Sequence, residues 1–184
     1  LHSFPTRRSS DLEGKNDLKV TDTLTVSTPY VAVNEKSFQV SGNVKLSVGD
    51  RIQIVRPSSR EWIALIGCDI FGGGISSLGW KPGDIDITWD RAILKSDGGT
   101  VTVDAPLTVA LDNKWGEVKV LRYKWSGRIA EAGVENLTLA SDYNKQYLKD
   151  EDHCWMGVSI ENAENCWVRR VNFKNFAGSR SEER

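Results

Sequence analysis

Lys149-Asp150-Glu151-Asp152-His153 sets three consecutive carboxylates beside an imidazole. Asp150, Glu151 and Asp152 could bind a hard cation such as calcium through oxygen ligands, or the run could hold a general base. The competing reading is a solvated acidic loop with His153 packed beneath it. Trp155 follows closely, an indole able to stack on an apolar ring face or to anchor the loop to a core. Arg169-Arg170, with Arg128 earlier in the chain, could clamp a carboxylate bidentately. In a strand such neighbours point to opposite faces, so only one can face a groove; an ion pair to an adjacent strand would use the same side chain. His153, Trp155, Arg169 and Arg170 are therefore the candidate ligand contacts, and Asp150, Glu151 and Asp152 the candidate metal ligands. Asp84-Ile85-Asp86 with Asp90-Arg91 reads as an acidic loop with an internal ion pair. Gly72-Gly73-Gly74 lacks the Lys-Ser/Thr of a phosphate loop and reads as a turn.

The elements that must position these residues are strands. Helical periodicity is nearly absent. Alternating or β-branched runs recur at 24–26, 37–46, 51–55, 100–106, 117–123, 135–140, 157–161 and 167–173, separated by Gly, Asp and Asn. From Ser37 to Tyr123 the alternation and Gly-rich turns predict antiparallel hairpins with one wet face. From Gly127 the texture changes. Val134-Glu135-Asn136-Leu137-Thr138-Leu139 matches Val168-Arg169-Arg170-Val171-Asn172-Phe173 in apolar pattern, at an offset of 34 residues. That spacing predicts stacked solenoid coils of about 20–25 residues each. The remainder would be a loop over 142–154, the segment that carries the acids and the histidine.

Leu1–Leu12, LHSFPTRRSSDL, back-translates as a short-read sequencing adapter, and Arg180–Arg184, RSEER, as its complementary end. Residues 1–12 and 180–184 are therefore expected to be foreign and to pack against nothing, leaving 13–126 as a β-rich N-terminal or inserted region and 127–179 as parallel coils. Setting aside Arg7, Arg8, Arg180, Arg184, Asp11, Glu182 and Glu183 moves the net charge from −1 to −2, too balanced to suggest a nucleic-acid partner. With His2 also set aside, His153 is the sole histidine and a His-triad metal site is excluded. No apolar run reaches the roughly 18 residues that span a bilayer. Cys68, Cys154 and Cys166 have no zinc spacing. They read as small buried side chains, with a Cys154–Cys166 disulfide as the alternative.

Several phrases carry a family resemblance: Gly49-Asp50-Arg51-Ile52, Arg56-Pro57, Glu61-Trp62-Ile63, Trp89-Asp90-Arg91, Asp104-Ala105-Pro106-Leu107-Thr108 and Gly127-Arg128-Ile129. Gly133-Val134-Glu135-Asn136-Leu137, Asp150 to Trp155, Cys166 to Arg170, and Phe176-Ala177-Gly178-Ser179 continue it. On these, the chain resembles secreted bacterial right-handed parallel β-helix proteins of the pectate-lyase-like superfamily. The resemblance implies an all-β fold: the start of such a helix, with an antiparallel region before or inside it. It also implies secretion or cell-surface display and a polysaccharide partner, acidic or plant-type. A lyase or glycoside hydrolase is one expectation; a non-catalytic adhesin, tailspike-like or glycan-binding module is another; a sugar-binding sandwich or barrel without coils is the third. No catalytic motif matches residue by residue, and the catalytic coils are expected beyond Ser179.

Overall fold

The computed structural model describes residues 11–70, 78–147, 150 and 152–178, and the backbone of 181–183. Among the described residues the chain is all-β apart from one short helix and 3-10 turns, one of them at Asn113–Trp115. It divides into two compact units, one made of residues 1–18 and 125–184, the other of 19–124. The second unit thus lies within the sequence of the first. Among the described residues, no helix is long and apolar enough to cross a membrane.

Strand β1 is Asp11–Glu13. The 19–124 unit then contributes β2 (Lys19–Val26), β3 (Tyr30–Val31), β4 (Ser37–Ser41), β5 (Arg51–Arg56), helix α1 (Arg60–Leu65), β6 (Ile87–Asp97), β7 (Thr100–Val103), β8 (Leu111–Asp112) and β9 (Lys119–Lys124). Six of these strands close an antiparallel barrel in the order β2-β4-β7-β6-β5-β9. The alternation that predicted strands also fills its core: Ile52 and Ile54 on β5, and Val101 and Val103 on β7, lie inward and are almost wholly buried. Each such side chain contributes about 1.5–3 kcal/mol by leaving water. The same period of two carries Arg56 inward after Ile52 and Ile54, where it is 5% exposed. Its guanidinium lies over Trp62, 4.7 Å from the ring centroid. Burial pushes its pKa below the ordinary arginine value, against the opposing pull of Asp112.

Two expectations are corrected here. The segment around Asp90-Arg91 is not a loop with an internal ion pair but part of β6, the longest strand among the described residues. Arg91 donates to the backbone carbonyls of Ala105, Asp90 and Pro106, and Asp90 accepts from the Tyr123 hydroxyl. Buried Trp89 and Ile93 supply the inward positions, and the bulge between Ile93 and Lys95 breaks the alternation that would have revealed the strand. Helix α1 was also unforeseen. Ser59 caps it by accepting the Trp62 N–H, with Glu61 in the first turn, so the start signal was present but the helix is too short to show periodicity.

Among the described residues the other unit pairs its strands in parallel. It contains β10 (Ile129–Ala130), β11 (Gly133–Ala140), β12 (Val158–Glu161), β13 (Ala163–Glu164), β14 (Trp167–Lys174) and β15 (Ser181–Glu183). Val134 pairs with Val168, Leu137 with Val171 and Leu139 with Phe173, so the ladder has the 34-residue offset of the sequence pattern. The β10–β13 pair repeats that offset. From Val158 to its parallel partner Ser181 the step is 23 residues. Left-handed backbone recurs in the same frame: Glu131 and Asn165, then Asn136 and Arg170, all have positive φ. At the first of these corners Asn165 Nδ2 donates to Glu131 Oε1 at 2.8 Å.

The flanks do not behave as expected. Asp11 and Leu12 pair with Ser159 and Ile160, and the backbone of 181–183 pairs with 158–160. Ladder hydrogen bonds are made by the backbone, so a segment in register can join with little regard to its side chains. Gly14 then makes a close passage: a Cβ there would lie 2.3 Å from the Asn162 carbonyl oxygen and 2.6 Å from that of Gly127.

Candidate functional site

The predicted site residues fall on two elements of the parallel unit, the loop between β11 and β12 and the strand β14. The loop is closed at its base by Ser141, whose N–H donates to the Lys174 carbonyl and whose hydroxyl accepts the Cys154 N–H. Asp150 organises its interior. Its two carboxylate oxygens accept the Asn144 N–H at 2.7 Å and the Asp152 N–H at 3.0 Å. Those backbone donors, aided by His153, hold the Asp150 carboxyl below its ordinary pKa. His153 is nearly buried, with Nδ1 3.5 Å from Asp150 Oδ2 and its ring 5.9 Å from that of Tyr143. Among the described residues the Asp150 carboxylate is the only polar group set against His153 Nδ1, at a distance beyond a well-formed hydrogen bond.

The loop therefore brings Asp150, Asp152 and His153 together, though not as a ring of open ligands. Asp150 braces the turn, and Asp152 enters it through its backbone N–H. Glu151 and Lys149 lie outside the described residues, as does Gly72-Gly73-Gly74. Among the described residues no three His, Cys, Asp or Glu side chains are grouped to hold a metal ion. Trp155 is half-buried where the loop returns. Its carbonyl accepts the Gly178 N–H, and a Cβ at Gly178 would lie 2.8 Å from the indole. The three cysteines are free.

Strand β14 holds the arginines. Arg169 is exposed, and its Nε and Nη2 both contact Glu135 Oε2, at 2.8 and 2.5 Å. Glu135 is its register partner on β11, so this guanidinium is taken up by the neighbouring strand. The opposite-face argument for Arg169 and Arg170 fails locally, because Arg170 has a φ of 53° and breaks the strand alternation. Arg170 is exposed and has no hydrogen-bond or ion-pair partner among the described residues; the same holds for the Lys174 ammonium. Arg128 donates to the Ala163 carbonyl and reaches Glu164 at 3.5 Å, with its guanidinium over Trp125.

Sequence reasoning missed Trp167 and Lys174. Trp167, 40% exposed, opens β14 and lies over its register partner Gly133. The 34-residue offset that pairs Glu135 with Arg169 also sets Trp167 against Gly133, so the signal was available. Trp167, Arg170 and Lys174 give β14 an exposed aromatic and two cations without a partner among the described residues, over about 20 Å of strand. Such a row can stack on the apolar face of a ring and neutralise carboxylates along an extended polymer.

No protein-family model matches the sequence, and comparison with curated proteins gave no match. Six chains among solved structures do match. One is the tailspike protein gp49 from Pseudomonas phage LKA1, with TM-score 0.39 and 15% identity, over 88% of this chain and 21% of that one. Another is the Gp54 tailspike of Acinetobacter baumannii bacteriophage AP22 in complex with A. baumannii capsular saccharide, with TM-score 0.41 and 10% identity, over 85% and 24%. A third is the tailspike gp61 of Pseudomonas phage phi297, with TM-score 0.43 and 12% identity, over 92% and 35%. The chain thus spans about a fifth to a third of the length of the tailspike structures it resembles.

Proposed function

We propose that this chain is part of a secreted or surface-displayed parallel β-helix protein, tailspike-like in build, that binds an acidic polysaccharide along β14. The row of Trp167, Arg170 and Lys174 carries the reading. At the TM-scores found, the tailspike likenesses add no weight of their own. The β-helix part rests on the parallel ladders, the recurring 34-residue offset and the repeated left-handed corners. Binding is favoured over turnover because the strongest candidate acid, Asp150, is engaged as a loop brace through both oxygens. In this reading the 19–124 barrel is an insertion in the first coil, and the loop before Trp155 borders the binding strand without supplying a metal.

The test is the affinity of the whole chain for a polyuronate and for a neutral glucan, followed by calorimetry. The polyuronate should bind and the glucan should not. Arg170→Gln with Lys174→Gln should weaken binding at least ten-fold, about 1.4 kcal/mol, and Trp167→Ala should weaken it further. Equal affinity for both polymers, or an unaffected double variant, contradicts the proposal. Release of new chain ends from the polyuronate would favour a lyase or hydrolase instead.

A further inference from the structure

The 19–124 unit has a cleft of its own, about 600 Å³ in volume, beside α1. Ile70, Trp80 and Pro82 form apolar wall over buried Ile63, and Arg60, Lys81 and Asp69 bring charge to it. That size falls in the range of small-ligand sites. None of the Arg60, Lys81 and Asp69 side chains has a hydrogen-bond or ion-pair partner among the described residues. Two cations and one acid thus line the same cleft as Trp80, with no hydrogen bond or ion pair between them among the described residues.

Hydrogen bonds among the described residues join the two sides of the cleft. Ser58, 1% exposed, donates its hydroxyl and its N–H to Asp86 Oδ1, and its Oγ accepts the N–H groups of Gly83 and Ile85. One buried serine therefore ties the start of α1 to the 81–86 turn. Ile63 is buried behind the helix, the Trp80 N–H donates to the Cys68 carbonyl, and the Lys81 N–H donates to Asp84. A cleft held this way spends little binding energy on ordering its backbone.

We propose that this cleft is a second ligand site, one that takes a single sugar ring bearing a carboxylate. The ring's apolar face lies on Trp80 and Pro82, the carboxylate meets Arg60 and Lys81, and hydroxyls donate to Asp69. An aromatic acid would fill the wall and satisfy the cations but give Asp69 no donor. Inorganic phosphate would satisfy the cations and leave the wall wet. A neutral sugar would leave both cations unspent. The assignment uses residues of the 19–124 unit alone, so it stands or falls separately from polymer binding on β14.

The experiment is titration of the full chain with glucuronate, glucose, benzoate and phosphate, read by NMR at the Trp80 indole and the Lys81 amide. Glucuronate should give saturable shifts at both, with affinity at least five-fold above each of the other three. Arg60→Gln with Lys81→Gln should weaken glucuronate at least ten-fold at an unchanged melting temperature, since both side chains are exposed. The variant Arg170→Gln/Lys174→Gln should bind glucuronate at this cleft as the parent does. Absence of saturable shifts, benzoate or phosphate binding as tightly as glucuronate, or an unaffected Arg60/Lys81 double variant would overturn the assignment.

Discussion

In the 19–124 unit Ile52, Ile54, Val103 and Val120 are wholly removed from water, whereas Leu139, Val171 and Phe173 on β11 and β14 are only half-buried. Among the described residues, every fully buried hydrophobic side chain except Val158 belongs to the barrel unit. The difference lies in how each unit satisfies its strands. Barrel closure leaves no free edge and encloses a core within about a hundred residues. The parallel ladders are small open sheets of two or three strands, which enclose no comparable core among the described residues. The barrel can therefore hold a cleft, while the ladders present a row of side chains on a long surface.

The largest expected effect separates the two cores. Ile52→Ala should cost about 2–5 kcal/mol in urea denaturation, because the barrel cannot collapse onto the cavity. Val171→Ala, half-exposed, should cost roughly 1 kcal/mol. Equal costs would erase the distinction between an enclosed core and an open one.

Gly14→Ala comes next, at about 1–3 kcal/mol. A methyl group there meets two backbone carbonyls, so the β1 passage must shift rather than a side chain rotate. The loss should speed amide exchange in Ser159–Glu161 and leave the barrel unchanged. Uniform destabilisation of both units would show that they unfold as one.

A double-mutant cycle on Glu135 and Arg169 should return about 0.2–1 kcal/mol, as expected of an exposed pair. A coupling near zero would return Arg169 to the set of cations available for a ligand.

Acidification should act on the loop. The folded Asp150 carboxyl is held below its ordinary value by the Asn144 and Asp152 N–H groups. Its contribution is complete above the ordinary carboxylate range and disappears as pH falls through the depressed folded value. Exchange at the Asn144 and Asp152 amides should quicken over that window, and Asp150→Asn should show the faster rate already at neutral pH. Unchanged exchange would remove Asp150 as the organiser of the loop.

Much of this arrangement was legible in residue spacing. The alternation of Ile52, Ile54 and Arg56 fixes which side chains enter the barrel. The match of 134–139 with 168–173 fixes the register of the main parallel ladder. Other features depend on contacts distant in sequence. Whether Arg169 meets a ligand or Glu135 is settled only once β11 and β14 are paired. The Asp69, Arg60 and Lys81 convergence needs Ser58 to draw the 81–86 turn onto α1. The bulge in β6 hid a strand from its own periodicity.

Hydrogen exchange of the whole chain with and without a saturating polyuronate tests the central claim, that β14 is the polymer-binding strand, most directly. The account predicts slowed exchange along Gly133–Ala140 and Trp167–Lys174, lost in the Arg170→Gln/Lys174→Gln variant. Bound polymer with no protection in those two strands, or with protection confined to residues 19–124, would contradict it.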